Sequence, residues 1–204
     1  MDTNSGTNLP DHGPIGRSVA GLLDGIDEKH LAGPTPCPDY TVGELLAHVV
    51  GLTVAFRDAG RKALGPTTDT PPTEGLPPLP DDWRTALPVQ MDELAAAWRS
   101  PDAWQGFTRA GGVDLPAEVA GLVALNELVV HGWDLARSTG QPYDVDRASL
   151  EAVLPFLEPA AASAETDEAP QGLFGPPVPV PADAPLLDRV IGLSGRRPDW
   201  RPGA

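Results

Sequence analysis

The 204-residue chain sets 14 Lys and Arg against 29 Asp and Glu, for a formal charge of −15 and a pI near 4.4. So acidic a surface repels phosphate, so neither nucleic acid nor an anionic membrane is an expected partner. The single Cys37 forbids an internal disulfide. The N-terminal stretch lacks the basic and apolar regions of a signal peptide, and no apolar run approaches the roughly 20 residues that span a bilayer, so the expected location is cytoplasmic.

Residues 1–13 are polar and read as a disordered tail. From Ile15, the positions Val19, Leu22, Leu23 and Ile26 follow at helical steps, predicting a first helix that ends near Leu31–Gly33. A Pro-rich turn around Cys37 follows. Thr41 and Glu44 have capping-box spacing, and Val42, Leu45, Leu46, Val49, Leu52 and Phe56 carry a second helix to Gly65-Pro66. Residues 66–82 are Pro-rich and read as a loop. A third helix spans 82–99 on Leu87, Met91, Leu94 and Trp98, with Pro88 able to move its start to about 88. Residues 100–114, with Gly111-Gly112, form a short hairpin or an irregular loop. The fourth helix is the longest: Asp114 can cap it, Pro116 suits its first turn and Gly140 its end. A fifth helix covers 147–162. Residues 163–204 form an acidic, Pro-rich extension whose short helix, Leu186–Leu193, packs on the bundle. Four long amphipathic helices and no alternating strand predict an all-α fold, an antiparallel four-helix bundle over residues 14–162.

Of the four histidines, His12 in the tail and His30 beside Lys29 read as solvated. His48 instead shares the core-facing phase of Leu45 and Leu52. Glu127 and His131 lie four residues apart in the middle of the longest helix, about 40° past a full turn, and so project side by side. A carboxylate on a buried helix face needs a compensating charge. A divalent metal ion held by His48, Glu127 and His131 supplies it; a Glu–His hydrogen bond or a solvent-facing stripe is the alternative. Two His and one Glu leave an open coordination position, as catalytic zinc sites do. Asp134 could orient a ligating histidine or simply be solvated. Glu44 is engaged by its cap. Cys37 lies about 10 Å along the axis from His48 and reads as a packed loop thiol. Trp133 reads as packing, and Arg137 as a solvated cation that could meet an anionic substrate.

The segments TPCPDYTVGELLAHVVG, from Thr35, and ALNELVVHGWDLARSTGQPY, from Ala124, resemble the DinB/YfiT-like metalloproteins. More narrowly, the chain resembles the actinobacterial branch that includes mycothiol-dependent maleylpyruvate isomerase and mycothiol S-transferases, and the resemblance covers roughly residues 15–195. The resemblance implies a DinB-like bundle with a divalent metal, zinc before nickel or another ion, on His48, Glu127 and His131. It also implies mycothiol as a thiol cosubstrate. The isomerase has a substantial C-terminal domain, whereas a short tail follows the bundle here. The expected activity is therefore a mycothiol S-transferase or thiol-dependent isomerase acting on a small electrophile through a metal-bound thiolate. The alternatives are a metal-dependent hydrolase and a non-catalytic metal- or small-ligand-binding stress protein. The expected partners are a small electrophile and a low-molecular-weight thiol, in a monomer or homodimer.

Overall fold

The computed structural model describes residues 9–71, 75–164 and 175–203, the side chains of 160–164 aside. Its helices are α1 (Gly13–Ala20), α2 (Val42–Gly60), α3 (Pro66–Asp69), α4 (Trp83–Trp98), α5 (Ala117–Thr139), α6 (Arg147–Ala164) and α7 (Leu186–Leu193). A two-stranded hairpin, β1 (Phe107–Ala110) and β2 (Val113–Pro116), precedes α5. The all-α fold read from the sequence is the observed one, with that hairpin added. Helices α1 and α2 each pack on both α4 and α5, closing a four-helix ring. Helix α6 lies against α5, and α7 against α6.

The expected first helix is shorter than its periodicity. It stops at Ala20 and continues as two 3₁₀ turns, Leu23–Gly25 and Glu28–His30. Gly21 and Gly25 weaken a continuous helix here. The backbone N–H of Asp27 donates to His30 Nδ1 at 3.0 Å, closing the second turn locally. Residues 1–8 of the expected disordered tail lie outside the described residues. Within it, His12 is not solvated: it is 1% exposed, its ring stacks on Trp98 and tilts against Trp104, and its Nε2–H donates to the Gly121 carbonyl at 2.9 Å. Burial drives its pKa down to about 4. Gly121 permits this cluster, since a Cβ there would stand 2.6 Å from Trp104 and 2.9 Å from Trp98.

Helix α2 starts as expected. The Thr41 N–H donates to Glu44 Oε2 at 2.8 Å, and the Glu44 N–H returns to Thr41 Oγ1. It ends at Gly60, earlier than Gly65, because Lys62 turns left-handed (φ 57°) while its Nζ donates to the carbonyls of Gln105 and Phe107 on the hairpin side. In the hairpin, Gly111 and Gly112 take φ of 59° and 77°, as a two-residue turn between right-twisted strands requires. Asp114 therefore does not cap α5. It sits in β2 opposite Arg109, which donates to it from Nε at 2.7 Å, and Pro116 takes the capping position. Pro88 falls inside α4 without delaying its start. Gly140, left-handed at φ 69°, ends α5 as expected.

Helix α5 is long and apolar enough to cross a membrane by length and composition, but 83% of that stretch is buried inside the fold. It is the core helix of the ring. Between its polar ends, from Val119 to Ala136, the polar interruptions are Asn126, Glu127, His131 and Asp134.

Candidate metal centre

The seam between α2 and α5 brings together the three side chains singled out in the sequence. His48 Nε2 lies 3.5 Å from Glu127 Oε2, and His131 Nε2 lies 3.0 Å from the same oxygen. One donor atom from each residue falls within 4.8 Å of the other two, and the imidazole rings meet edge to face at 4.9 Å. A tetrahedral ion bound at about 2.0–2.1 Å separates its ligand atoms by about 3.3 Å. The two separations to Glu127 bracket that value, so these donors are spaced for a small divalent cation. The side chains are 18%, 14% and 8% exposed for His48, Glu127 and His131. The cluster thus stands at the rim of the core, where a fourth ligand has a way in.

Helical geometry and surrounding contacts set each group. Glu127 and His131 share a face of α5 one turn apart. On α2, the capped start before Val42 places His48 on the same side as the buried Leu45 and Leu52. Tyr40, just before the cap, stacks its ring on His48 at 5.3 Å. Asp134, one turn past His131 and fully buried, accepts a hydrogen bond from His131 Nδ1–H at 3.1 Å. Nε2 is then left to face Glu127, to which it donates when protonated and beside which it can offer a lone pair to an ion once that proton leaves.

In the metal-free protein these groups form a tight charge cluster. Burial pulls the His131 imidazole down, but its hydrogen bonds to Asp134 and then Glu127 outweigh that and raise its pKa to about 9. Burial likewise opposes ionisation of Glu127, yet the imidazoles of His131 and His48 hold its carboxyl well below the usual range. A proton on His131 thus occupies the place where a cation would neutralise Glu127.

The other candidates are placed elsewhere. Glu44 remains in its cap. Cys37 is buried in the turn before α2, its N–H bonded to Thr35 Oγ1 at 3.1 Å, and its sulfur is not among the clustered donor atoms. Burial pushes its thiol pKa up, with Arg196 opposing. Trp133 packs against Val130 and Ile191. Arg137 faces away from the cluster: its Nη2 donates to the Pro198 carbonyl at 3.0 Å and its guanidinium lies over Trp133. Asp134 is buried rather than solvated. Sequence reasoning missed Arg196, which donates to both Asp134 oxygens, at 3.3 and 3.2 Å. It lies in a Gly-Arg-Arg-Pro run with no periodicity to mark it.

The profile of the mycothiol maleylpyruvate isomerase N-terminal domain matches residues 12–136, more than half of the chain and the span that carries all three clustered side chains. The chain belongs to that family. The chain is also 30% identical over 189 residues to an uncharacterised protein of Mycobacterium tuberculosis, found in strains H37Rv and CDC 1551, covering 88% of this chain and 92% of the relative. Among solved structures it is similar to the crystal structure of the mycothiol-dependent maleylpyruvate isomerase, with a TM-score of 0.56 and 20% identity. That likeness covers 74% of this chain and 68% of the isomerase chain, and it bears on the fold.

Proposed function

We propose that this chain is a metal- and mycothiol-dependent enzyme that transfers the thiol to a small electrophile, or adds it reversibly to an activated double bond and so isomerises it. The observation that carries the reading is the meeting of His48, Glu127 and His131 within 4.8 Å, inside the span that the family profile matches. A divalent ion bound there, zinc first, supplies a Lewis acid that lets a coordinated thiol ionise near neutral pH. The chain's own residues do the rest. Glu127 contributes the anionic ligand that holds the ion. Asp134 keeps the proton of His131 on Nδ1, so that Nε2 faces the site. Tyr40 fixes the plane of the His48 ring by stacking on it. The low exposure of all three groups limits competing water. The thiol comes from outside, because the one cysteine is buried and apart from the donor atoms.

The test is metal analysis of the purified protein, followed by thiol addition to the cobalt-substituted form. Wild type should carry about one divalent ion per chain, and His48→Ala, Glu127→Ala and His131→Ala should each lose it. Mycothiol should then produce a sulfur-to-metal charge-transfer band. Full metal content in all three variants would refute the site. A folded, cobalt-loaded protein that shows no band with any thiol would refute the thiol chemistry, leaving hydrolysis or simple metal binding.

A further inference from the structure

The three clustered side chains lie within the family-matched span, but the charge that stabilises their support does not. Asp134 is 0% exposed, and a buried carboxylate needs more than the single hydrogen bond from His131. Its second partner comes from the C-terminal segment. Arg196, 9% exposed, grips it with Nε at 3.3 Å from Oδ1 and Nη2 at 3.2 Å from Oδ2, a two-pronged contact that a guanidinium makes and an ammonium cannot. The same Oδ2 accepts the proton of His131 Nδ1. Arg196 is itself held: its Nη1 donates to the Ser194 carbonyl, its backbone N–H donates to the Ile191 carbonyl at 3.0 Å, and Ile191 packs on Val130 and Trp133 of α5. The Arg137 contact to the Pro198 carbonyl clamps the segment just beyond it.

We infer that Arg196 is a positioning residue of the metal centre: through Asp134 it sets the orientation of the His131 ring, so the C-terminal segment governs metal affinity without touching the metal. The inference rests on the metal reading of His48, Glu127 and His131. Outer partners of a ligating histidine commonly change metal affinity ten- to a hundredfold. Without Arg196, Asp134 would be a buried, half-satisfied anion free to turn away from His131.

The experiment measures the zinc dissociation constant of the folded, full-length protein at one fixed pH by competition with a chelator, with thermal melting of the metal-free form alongside. Arg196→Met should weaken zinc binding about tenfold or more, and Arg196→Lys, which keeps the charge and loses the fork, about threefold or more. Should Arg196→Met fail to fold, the Asp134→Asn/Arg196→Met pair removes both charges and remains measurable. In the Asp134→Asn background the Arg196→Met change should alter affinity less than twofold, because its route to the metal is already cut. A merely structural role for Arg196 would lower the melting temperature and leave the dissociation constant unchanged. That result, or equal losses from Arg196→Met in both backgrounds, would overturn the inference. A wild type that binds no zinc would instead sink the metal reading itself, so the two failures are distinct.

Discussion

Two buried histidines should make the metal-free protein most stable near pH 6.5. His12 has its pKa driven down to about 4 by burial between Trp98 and Trp104, against about 6.5 when unfolded. Below pH 6.5 the unfolded imidazole takes a proton that the folded one refuses, so stability falls as pH falls. At about 1.4 kcal/mol per pH step, the loss is about 2 kcal/mol by pH 5 and about 3 kcal/mol by pH 4. His131 acts with the opposite sign. Its folded pKa is raised to about 9, so its stabilisation is complete below pH 6.5 and is lost, again by about 3 kcal/mol, as pH rises to 9. Glu127, held low, adds a loss of its own only below about pH 4.5, and comparing wild type with a His12 variant cancels the share of His131 between pH 7 and 5. The assay is urea unfolding of the chelator-treated protein at pH 5, 7 and 9. His12→Gln keeps a donor for the Gly121 carbonyl but does not titrate, so wild type should lose about 2 kcal/mol of stability relative to it between pH 7 and 5. Saturating zinc should remove the loss between pH 7 and 9, because a metal-bound imidazole has no proton to shed. A constant difference between wild type and His12→Gln from pH 7 to 5, or an alkaline loss that zinc does not touch, would refute the reasoning.

Three further outcomes follow from the contacts. Cys37→Ser should retain full metal content and most thiol-transfer activity; loss of metal, read by elemental analysis, would make the cysteine a ligand. Gly121→Ala should destabilise by about 1–3 kcal/mol through the close approach of Trp98 and Trp104, measured by the urea midpoint, with metal stoichiometry unchanged. Thr41→Ala opens the capping box ahead of His48 and should cost about 1 kcal/mol in the same assay; a neutral result would mean that α2 is fixed by tertiary packing alone.

The parts of the fold legible in the sequence are those governed by helical period. Leu45, Leu52 and His48 share a phase, as do Glu127 and His131, and the juxtaposition in the seam follows once α2 and α5 pack side by side. Capping chemistry was legible at Thr41 and Glu44 because both halves of the motif are local. At Asp114 it misled, because a cross-strand partner, Arg109, competes for the same carboxylate and a hairpin takes precedence over a cap. His12 misled for a similar reason: its polar neighbours, Asp11 and Gly13, conceal a ring whose partners, Trp98, Trp104 and Gly121, lie some ninety to a hundred and ten residues away. Arg196 was invisible on the same ground. A contact across 62 residues between an aperiodic tail and a helix leaves no spacing to read.

The charges gathered in the seam form a balanced set that local pattern could not reveal. In the metal-free protein Glu127 and Asp134 are two buried anions, and Arg196 and the protonated His131 are two buried cations. A cluster that sums to zero is one that a low-dielectric rim tolerates without a bound ion. Replacing the His131 proton with a divalent cation leaves one positive charge in excess. If the site takes an ion as proposed, an anionic fourth ligand would balance that excess and a neutral one would not, so the charge balance would favour a thiolate over an alcohol there. Arg196 is part of that balance. If it were absent, the loaded cluster would already be neutral, and its preference for an anionic ligand would fall along with its hold on the metal.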